Sequence, residues 1–300
     1  MTKSLRLKDT SLGLAKLNKV KYDINIGKKG VTIMIDTRLD TVGIAGDWHG
    51  NLDWALDAVN TFMRQDINVI LHLGDFGYGF GQSGADYLRK LQARLLRNGQ
   101  MLLVTPGNHE DYSKIADLKV IPNGQWKGWL KLTSQILLAP RGLRWTWEGR
   151  EFVSLGGANS IDRNYRTPYL SWWEGEQISM GDVYRTVDGG TADVMLCHDA
   201  PLKVSIPLNH RDMGWDYDQL NYAKGSRIMI QHAIDEVKPK LFFHGHYHVF
   251  YDKKVTLGDF DNGDTYLTRF VGMDQDTHDN NLGLLRVADL HFETIPLVRR

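Results

Sequence analysis

Five times along this chain a short apolar run breaks into a turn carrying Asp, His or Asn. Thr41-Val42-Gly43-Ile44-Ala45 ends in Gly46-Asp47-Trp48-His49-Gly50-Asn51, and Val69-Ile70-Leu71-His72-Leu73 ends in Gly74-Asp75-Phe76-Gly77. Met101-Leu102-Leu103-Val104 leads to Gly107-Asn108-His109-Glu110-Asp111. Val194-Met195-Leu196-Cys197 leads to His198-Asp199, and Leu241-Phe242-Phe243 to His244-Gly245-His246-Tyr247-His248. Uninterrupted apolar runs of this length suit strands buried on both faces. Helical patterns follow two of the early strands: apolar Trp54, Ala55, Ala58, Val59 and Phe62 share one face after Asn51, an expected N-cap, and a second helix runs to Leu96 before Gly99. Strand–turn–helix repeats build an α/β sheet whose sites lie at the carboxyl ends of the strands.

The polar residues at those ends are therefore expected to converge. They are Asp47, His49, Asp75, Asn108, His109, His198, His246 and His248. Carboxylate, amide and imidazole ligands without a thiolate suit Mn, Fe, Zn or Co and argue against a closed structural zinc site. Eight such residues exceed the needs of one ion, so two ions sharing a carboxylate are expected. Metals so paired clamp the attacking and leaving oxygens of a displacement.

The blocks Gly46-Asp47-Trp48-His49-Gly50, Gly74-Asp75, Gly107-Asn108-His109-Glu110, His198 and Gly245-His246-Tyr247-His248 resemble, in order, the five blocks of the calcineurin-like metallophosphoesterases. The resemblance implies a four-layer α/β/β/α sandwich: two mixed sheets flanked by helices, with a dinuclear metal site at the strand ends. It implies that Asp47, His49 and His248 hold one ion, that Asn108, His198 and His246 hold the other, and that Asp75 bridges them. The ions implied are divalent or trivalent transition metals, manganese first, with iron, zinc, cobalt or nickel also suitable. A metal-bridging hydroxide would attack phosphorus in line, with His109 orienting the phosphate or protonating the leaving oxygen.

Phosphoprotein phosphatases of the family carry Gly-Asp-x-x-Asp-Arg-Gly in the second block. Here Gly74-Asp75-Phe76-Gly77-Tyr78-Gly79-Phe80 lacks the second Asp and the Arg. That favours the phosphodiesterase branch, similar to bacterial and phage enzymes acting on cyclic nucleotides or aryl phosphodiesters, over a phosphoprotein phosphatase. Monoesters are allowed as further substrates, and the alternatives are a nuclease or a phosphoprotein phosphatase of the same family and, less readily, a non-catalytic binding scaffold.

Other residues carry weaker expectations. Asp111 and Asp199 are candidates to orient histidines from behind, with turn capping as the alternative. His244 is a candidate for the same position or for packing. His72, inside its strand, reads as a core histidine, and His210, His232, His278 and His291 as surface or structural. The aromatic residues from Tyr165 to Trp173 read as packing more readily than as a stacking platform.

A lysine-rich arm over 1–30, with a short helix around Leu12 to Leu17, is expected to precede a single domain over 31–300. Val31 to Ile35 is expected to pair with the strand at Thr41. Residues 136–157 read as an antiparallel meander, 158–182 and 203–224 as long loops over the site, and Arg227 to Val237 as a helix. Three antiparallel runs, at Tyr266 to Val271, Leu282 to Val287 and His291 to Ile295, close the chain. Net charge is zero, which disfavours nucleic acid as the main partner and leaves a small phosphoester as the expected substrate. One cysteine excludes an internal disulfide framework. The N-terminus lacks an apolar signal-peptide core and no stretch reaches the ~18 apolar residues of a membrane span, so a cytoplasmic location is expected.

Overall fold

The computed structural model describes residues 19–26, 29–36, 39–78, 83–208, 214–259 and 261–299. The helix expected around Leu12 to Leu17, and His210, lie outside the described residues. Strands β1 (Lys19–Ile26) and β2 (Lys29–Asp36) pair antiparallel as a hairpin, in a compact unit separate from Leu39–Arg300. The β-branched run at Val31 thus finds its partner upstream, not in the strand at Thr41.

The larger unit is built on two mixed sheets. The first parallel strands are β3 (Thr41–Ala45), β4 (Val69–His72) and β5 (Met101–Val104), crossed by helices α1 (Leu52–Arg64) and α2 (Ser83–Asn98). Asn51 caps α1 by accepting the Trp54 N–H, and Asp53 sits in the first turn, where the helix dipole favours it. A short helix, α3 (Tyr112–Ile115), and strands β6 (Lys119–Val120), β7 (Leu130–Lys131) and β8 (Ile136–Leu138) follow. Next come β9 (Arg144–Trp147), β10 (Arg150–Leu155), α4 (Met180–Val187), β11 (Val194–Cys197), α5 (Tyr217–Val237) and β12 (Leu241–His244). The chain closes with β13 (Tyr251–Asp259), β14 (Asp264–Gly272), β15 (Leu282–Arg286) and β16 (His291–Thr294). One sheet runs β16-β15-β3-β4-β5-β8-β7-β6 and the other β13-β14-β12-β11-β10-β9.

Alternation along the central strands explains the layers. Val42, Ile44, Val69, Leu71 and Leu103 of one sheet pack with Phe152, Val194, Leu196, Leu241 and Phe243 of the other. Their neighbours Ile70, Leu102 and Val104 face Ala55, Val59, Phe62, Leu91 and Leu95 of α1 and α2. On the far side Met195, Cys197 and Phe242 pack with Val183 of α4 and Ile230, Ala233, Ile234 and Val237 of α5. Both sheets are thus covered on both faces, giving the α/β/β/α order. Each fully buried Phe or Leu contributes about 1.5–3 kcal/mol.

Several expectations need correction. The 136–157 meander divides between the sheets: β8 lies parallel to β5, while β9 and β10 form a hairpin in the second sheet. β14 lies parallel to β12, and its antiparallel partner is β13, an unexpected strand. The 158–182 segment ends in α4. Helix α5 begins ten residues before Arg227, because Asp216 and Gln219 form a capping box there. Period-based reading missed that first half because its polar residues hide the pattern.

Candidate metal centre

The strand-end turns meet at one edge of the two sheets, held there by backbone geometry ordinary residues avoid. His49 (φ 45°), Asp75 (φ 49°), His246 (φ 71°) and His248 (φ 52°) all adopt left-handed conformations. Such strain clusters where surrounding structure overrides local preference, typically at functional sites. The glycines of the blocks make room for side chains. A Cβ on Gly245 would lie 2.0 Å from Asp47 Oδ1, and one on Gly74 would lie 2.4 Å from His198 Nδ1.

Two ligand groups result. Asp47, His49 and His248 offer one atom each, all within 4.8 Å of one another, and Asp75, His198 and His246 do the same. In the first group His248 Nε2 lies 3.3 Å from Asp47 Oδ2. In the second His198 Nε2 lies 3.3 Å from Asp75 Oδ2 and 3.0 Å from Asn108 Oδ1. Asp75 Oδ2 is also 3.8 Å from His49 Nε2, so the two groups adjoin through Asp75. His109 lies beside them, with Nε2 3.8 Å from Asp75 Oδ2 and its backbone N–H donated to Asp75 Oδ1 at 2.9 Å.

The electrostatics call for positive charge at this point. Burial acts to lower the pKa of His198, yet Asp75 and Asp47 lift it to about 10. Burial also opposes the charge of Asp75, but His198, His109 and His49 hold its carboxyl well below the usual range. Burial and the neighbouring His198 push His246 down to about 3. Asp47 Oδ1 is buried with no hydrogen-bond partner. An orphaned carboxylate oxygen among imidazoles, with no thiolate present, fits a bound transition-metal ion.

Residues 41–250 match the family model described as calcineurin-like phosphoesterase. The chain belongs to the calcineurin-like phosphoesterases. It is accordingly a phosphoester hydrolase of a dinuclear metal-dependent family, with two candidate metal-binding groups. Solved structures are similar to the chain at low identity. TT1561 of Thermus thermophilus is 13% identical with a TM-score of 0.50, covering 86% of this chain and 99% of that one. An archaeal phosphodiesterase is 12% identical with a TM-score of 0.39, over 86% of this chain and 99% of its own. The purple acid phosphatase PPD1 of yellow lupin (Lupinus luteus) seeds is 14% identical with a TM-score of 0.49, over 88% of this chain and 55% of its own. No curated protein matches the sequence. No helix among the described residues is long and apolar enough to cross a membrane.

This phosphoesterase supports its ligand groups with residues that sequence reading did not find. Asp276, in the turn after β14, lies 3.1 Å from His49 Nδ1 and accepts Asn51 Nδ2 at 2.7 Å. Leu73 O lies 2.7 Å from His198 Nδ1, so with the proton on Nδ1 the Nε2 lone pair faces Asp75 and Asn108. Asn108 Nδ2 donates to Ser160 Oγ at 2.8 Å, and Ser160 Oγ donates to the fully buried Glu176. That bond turns the Asn108 oxygen toward His198. Glu110, also fully buried, accepts the backbone N–H groups of Asp75, Gly77 and Gly107 and so ties two ligand turns together. Asn281 accepts both indole N–H groups of Trp48 and Trp54 and donates to Asp47 O, fixing the first turn. Glu110 stands inside the third block, three residues from Gly107, but the other supports have no spacing signal, since each arrives from a distant segment.

The expected supports are placed elsewhere. Asp111 caps α3, accepting the N–H groups of Ser113 and Lys114, and pairs with Lys114 at 2.8 Å. Asp199 accepts Tyr247 Oη and Ser226 Oγ at 2.6 Å each, bracing the last block against α5 rather than orienting a histidine. His244 is fully buried between Gly245 O and Tyr251 Oη and joins neither ligand group. Burial pushes it down to about 4. His72 is likewise buried and neutral, accepting the Gly74 N–H at 3.2 Å and packing edge-on against Trp48. Tyr165 and Tyr169 are 78% and 80% exposed, so the packing expectation holds for Trp173 but not for them.

Proposed function

We propose that this protein hydrolyses phosphodiesters with two metal ions, manganese first among them. Asp47, His49 and His248 would hold one ion, Asn108, His198 and His246 the other, and Asp75 would bridge them. The observation that carries this reading is the adjacency of the two groups through one carboxylate, Asp75 Oδ2, between His49 and His198. When bound, the ions supply Lewis acidity and an activated water for in-line attack on phosphorus.

The chain's own residues do the rest. Asp75 fixes the spacing of the two groups. Leu73 O and Asp276 hold the rings of His198 and His49, so the ligand nitrogens need no reorientation. His109 would orient the phosphoryl group or hand a proton to the leaving oxygen. Burial lowers its pKa, with Asp75 opposing and the Arg166 cation assisting. A small phosphoester in the cytoplasm is the proposed substrate setting. The missing Asp and Arg of the second block support a diester over a phosphoprotein.

A panel of bis-p-nitrophenyl phosphate, cyclic nucleotides, monoesters and nucleic acids, assayed with Mn²⁺, tests the reading. Diester turnover should lead, and His109→Ala should slow it by a factor of ~10²–10⁴ while two ions per chain remain bound. Turnover confined to monoesters would remove the diester assignment, turnover confined to nucleic acid would replace the small-molecule substrate by a polynucleotide, and undiminished turnover of His109→Ala would remove His109 from the chemistry.

A further inference from the structure

No arginine lies in the second block, from Gly74 to Phe80. The fold brings one to the centre from another segment. Arg166 follows a short 3-10 turn at Arg163–Tyr165. Its Nη2 lies 2.8 Å from His109 Nε2 and its Nη1 lies 3.2 Å from His109 Nδ1. His109 in turn stands 3.8 Å from the Asp75 carboxylate that joins the two ligand groups. Arg166 is therefore one side chain away from the point where a phosphoryl group would sit.

Its hydrogen-bond accounting leaves donors over. A guanidinium has five N–H groups and no acceptor. One, on Nε, faces Asp162 Oδ1 at 2.8 Å. A neutral imidazole has a single acceptor nitrogen, so His109 takes one more. Ser171 O, 3.5 Å from Nη1, takes at most a third. Two donors remain on a side chain only 11% exposed. Asp162 meets its charge at Nε, so what the fork lacks is not a counter-ion but acceptors for its Nη donors, and donors held out of bulk water without acceptors are costly. A planar fork of this kind matches two oxygens of a phosphate.

The segment that carries Arg166 is pinned on both sides by one buried carboxylate. Glu176 accepts the Ser160 N–H at 2.8 Å, before Arg166, and Trp172 Nε1 at 2.9 Å, after it. It also accepts Tyr222 Oη at 3.0 Å from α5, and the Arg163 guanidinium lies 3.6 Å over the Tyr222 ring. A donor held in place before the substrate arrives needs no reorganisation when charge develops on it.

We infer that Arg166 is a substrate-binding residue, which grips non-bridging oxygens of the phosphoryl group with its Nη donors beside His109. This rests on the phosphoesterase reading above. The test separates the two by using inorganic phosphate as a probe that needs no turnover. Calorimetric titration of the Mn²⁺-loaded protein with phosphate should show Arg166→Ala weakened by about 10- to 100-fold, with metal content unchanged. Arg166→Lys keeps the charge but not the fork and should recover only part of that loss. In turnover, added guanidinium ion should restore part of the Arg166→Ala activity and leave the wild type unaffected, which a merely structural role would not produce. Equal phosphate affinity in wild type and Arg166→Ala, or no phosphate binding by the wild type, would overturn the inference. Failure of turnover with phosphate binding intact would count against the diesterase reading alone.

Discussion

The two ligand groups are built from the same side-chain types yet stand in different surroundings. Asp75 and His198 are almost completely enclosed, and His198 is fixed by a backbone carbonyl, Leu73 O. In the other group the His248 side chain is 39% exposed and that of His49 25% exposed. There the ring of His49 is set by a side chain, Asp276, from the turn after β14. Leu73 directly follows β4 and donates its N–H to Ala45 O at the end of β3, so its carbonyl is tied to the sheet, whereas Asp276 stands in a turn. The contrast predicts a tightly held ion beside a more exchangeable one.

The residue shared by both groups offers the largest break. Asp75→Asn removes the negative charge that both sets of imidazoles face. Metal analysis should find fewer than one ion per chain and turnover near background. Two retained ions would contradict a bridging Asp75.

Asp276→Ala sharpens the comparison by acting on one side only. Removing a carboxylate that orients a metal-binding histidine typically costs about 10- to 100-fold in affinity. Stepwise chelator titration should show one ion leaving earlier in the variant, with the second unchanged. Equal weakening of both ions would mean that the two groups do not behave separately.

Asp111→Ala is the smallest change and marks where the centre stops. Asp111 caps α3 and pairs with Lys114 but contacts no ligand. Loss of the cap should lower stability by about 1 kcal/mol in a denaturant titration, with both ions and their affinities unaltered. A change in metal affinity would extend the centre to residues it does not touch here.

What could be read from the sequence differed between these regions for a physical reason. Asp47, His49, Asp75, Asn108, His109, His198, His246 and His248 each follow a short apolar run, and a buried parallel strand leaves its polar turn at a predictable edge. The central strands and α1 follow from the same patterning of apolar residues, whereas the layer order was implied by the family resemblance. Polar segments obeyed no such rule. The first half of α5 starts from a capping box rather than an apolar stripe, and the run at Val31 could not announce its partner because pairing is decided by chain path.

The sequence by itself determined the strand ends and which residue types gather there, because these depend on local periodicity and on side-chain chemistry, and the order of its five blocks carried the resemblance to the family. Only the tertiary structure decided that Asp276 stands behind His49, that Glu176 steadies Asn108 through Ser160, and that Arg166 reaches His109 across 57 positions of chain. Such contacts arise when distant segments are packed against the same edge, and a single charged residue in a polar loop carries no local mark of the neighbour it will meet.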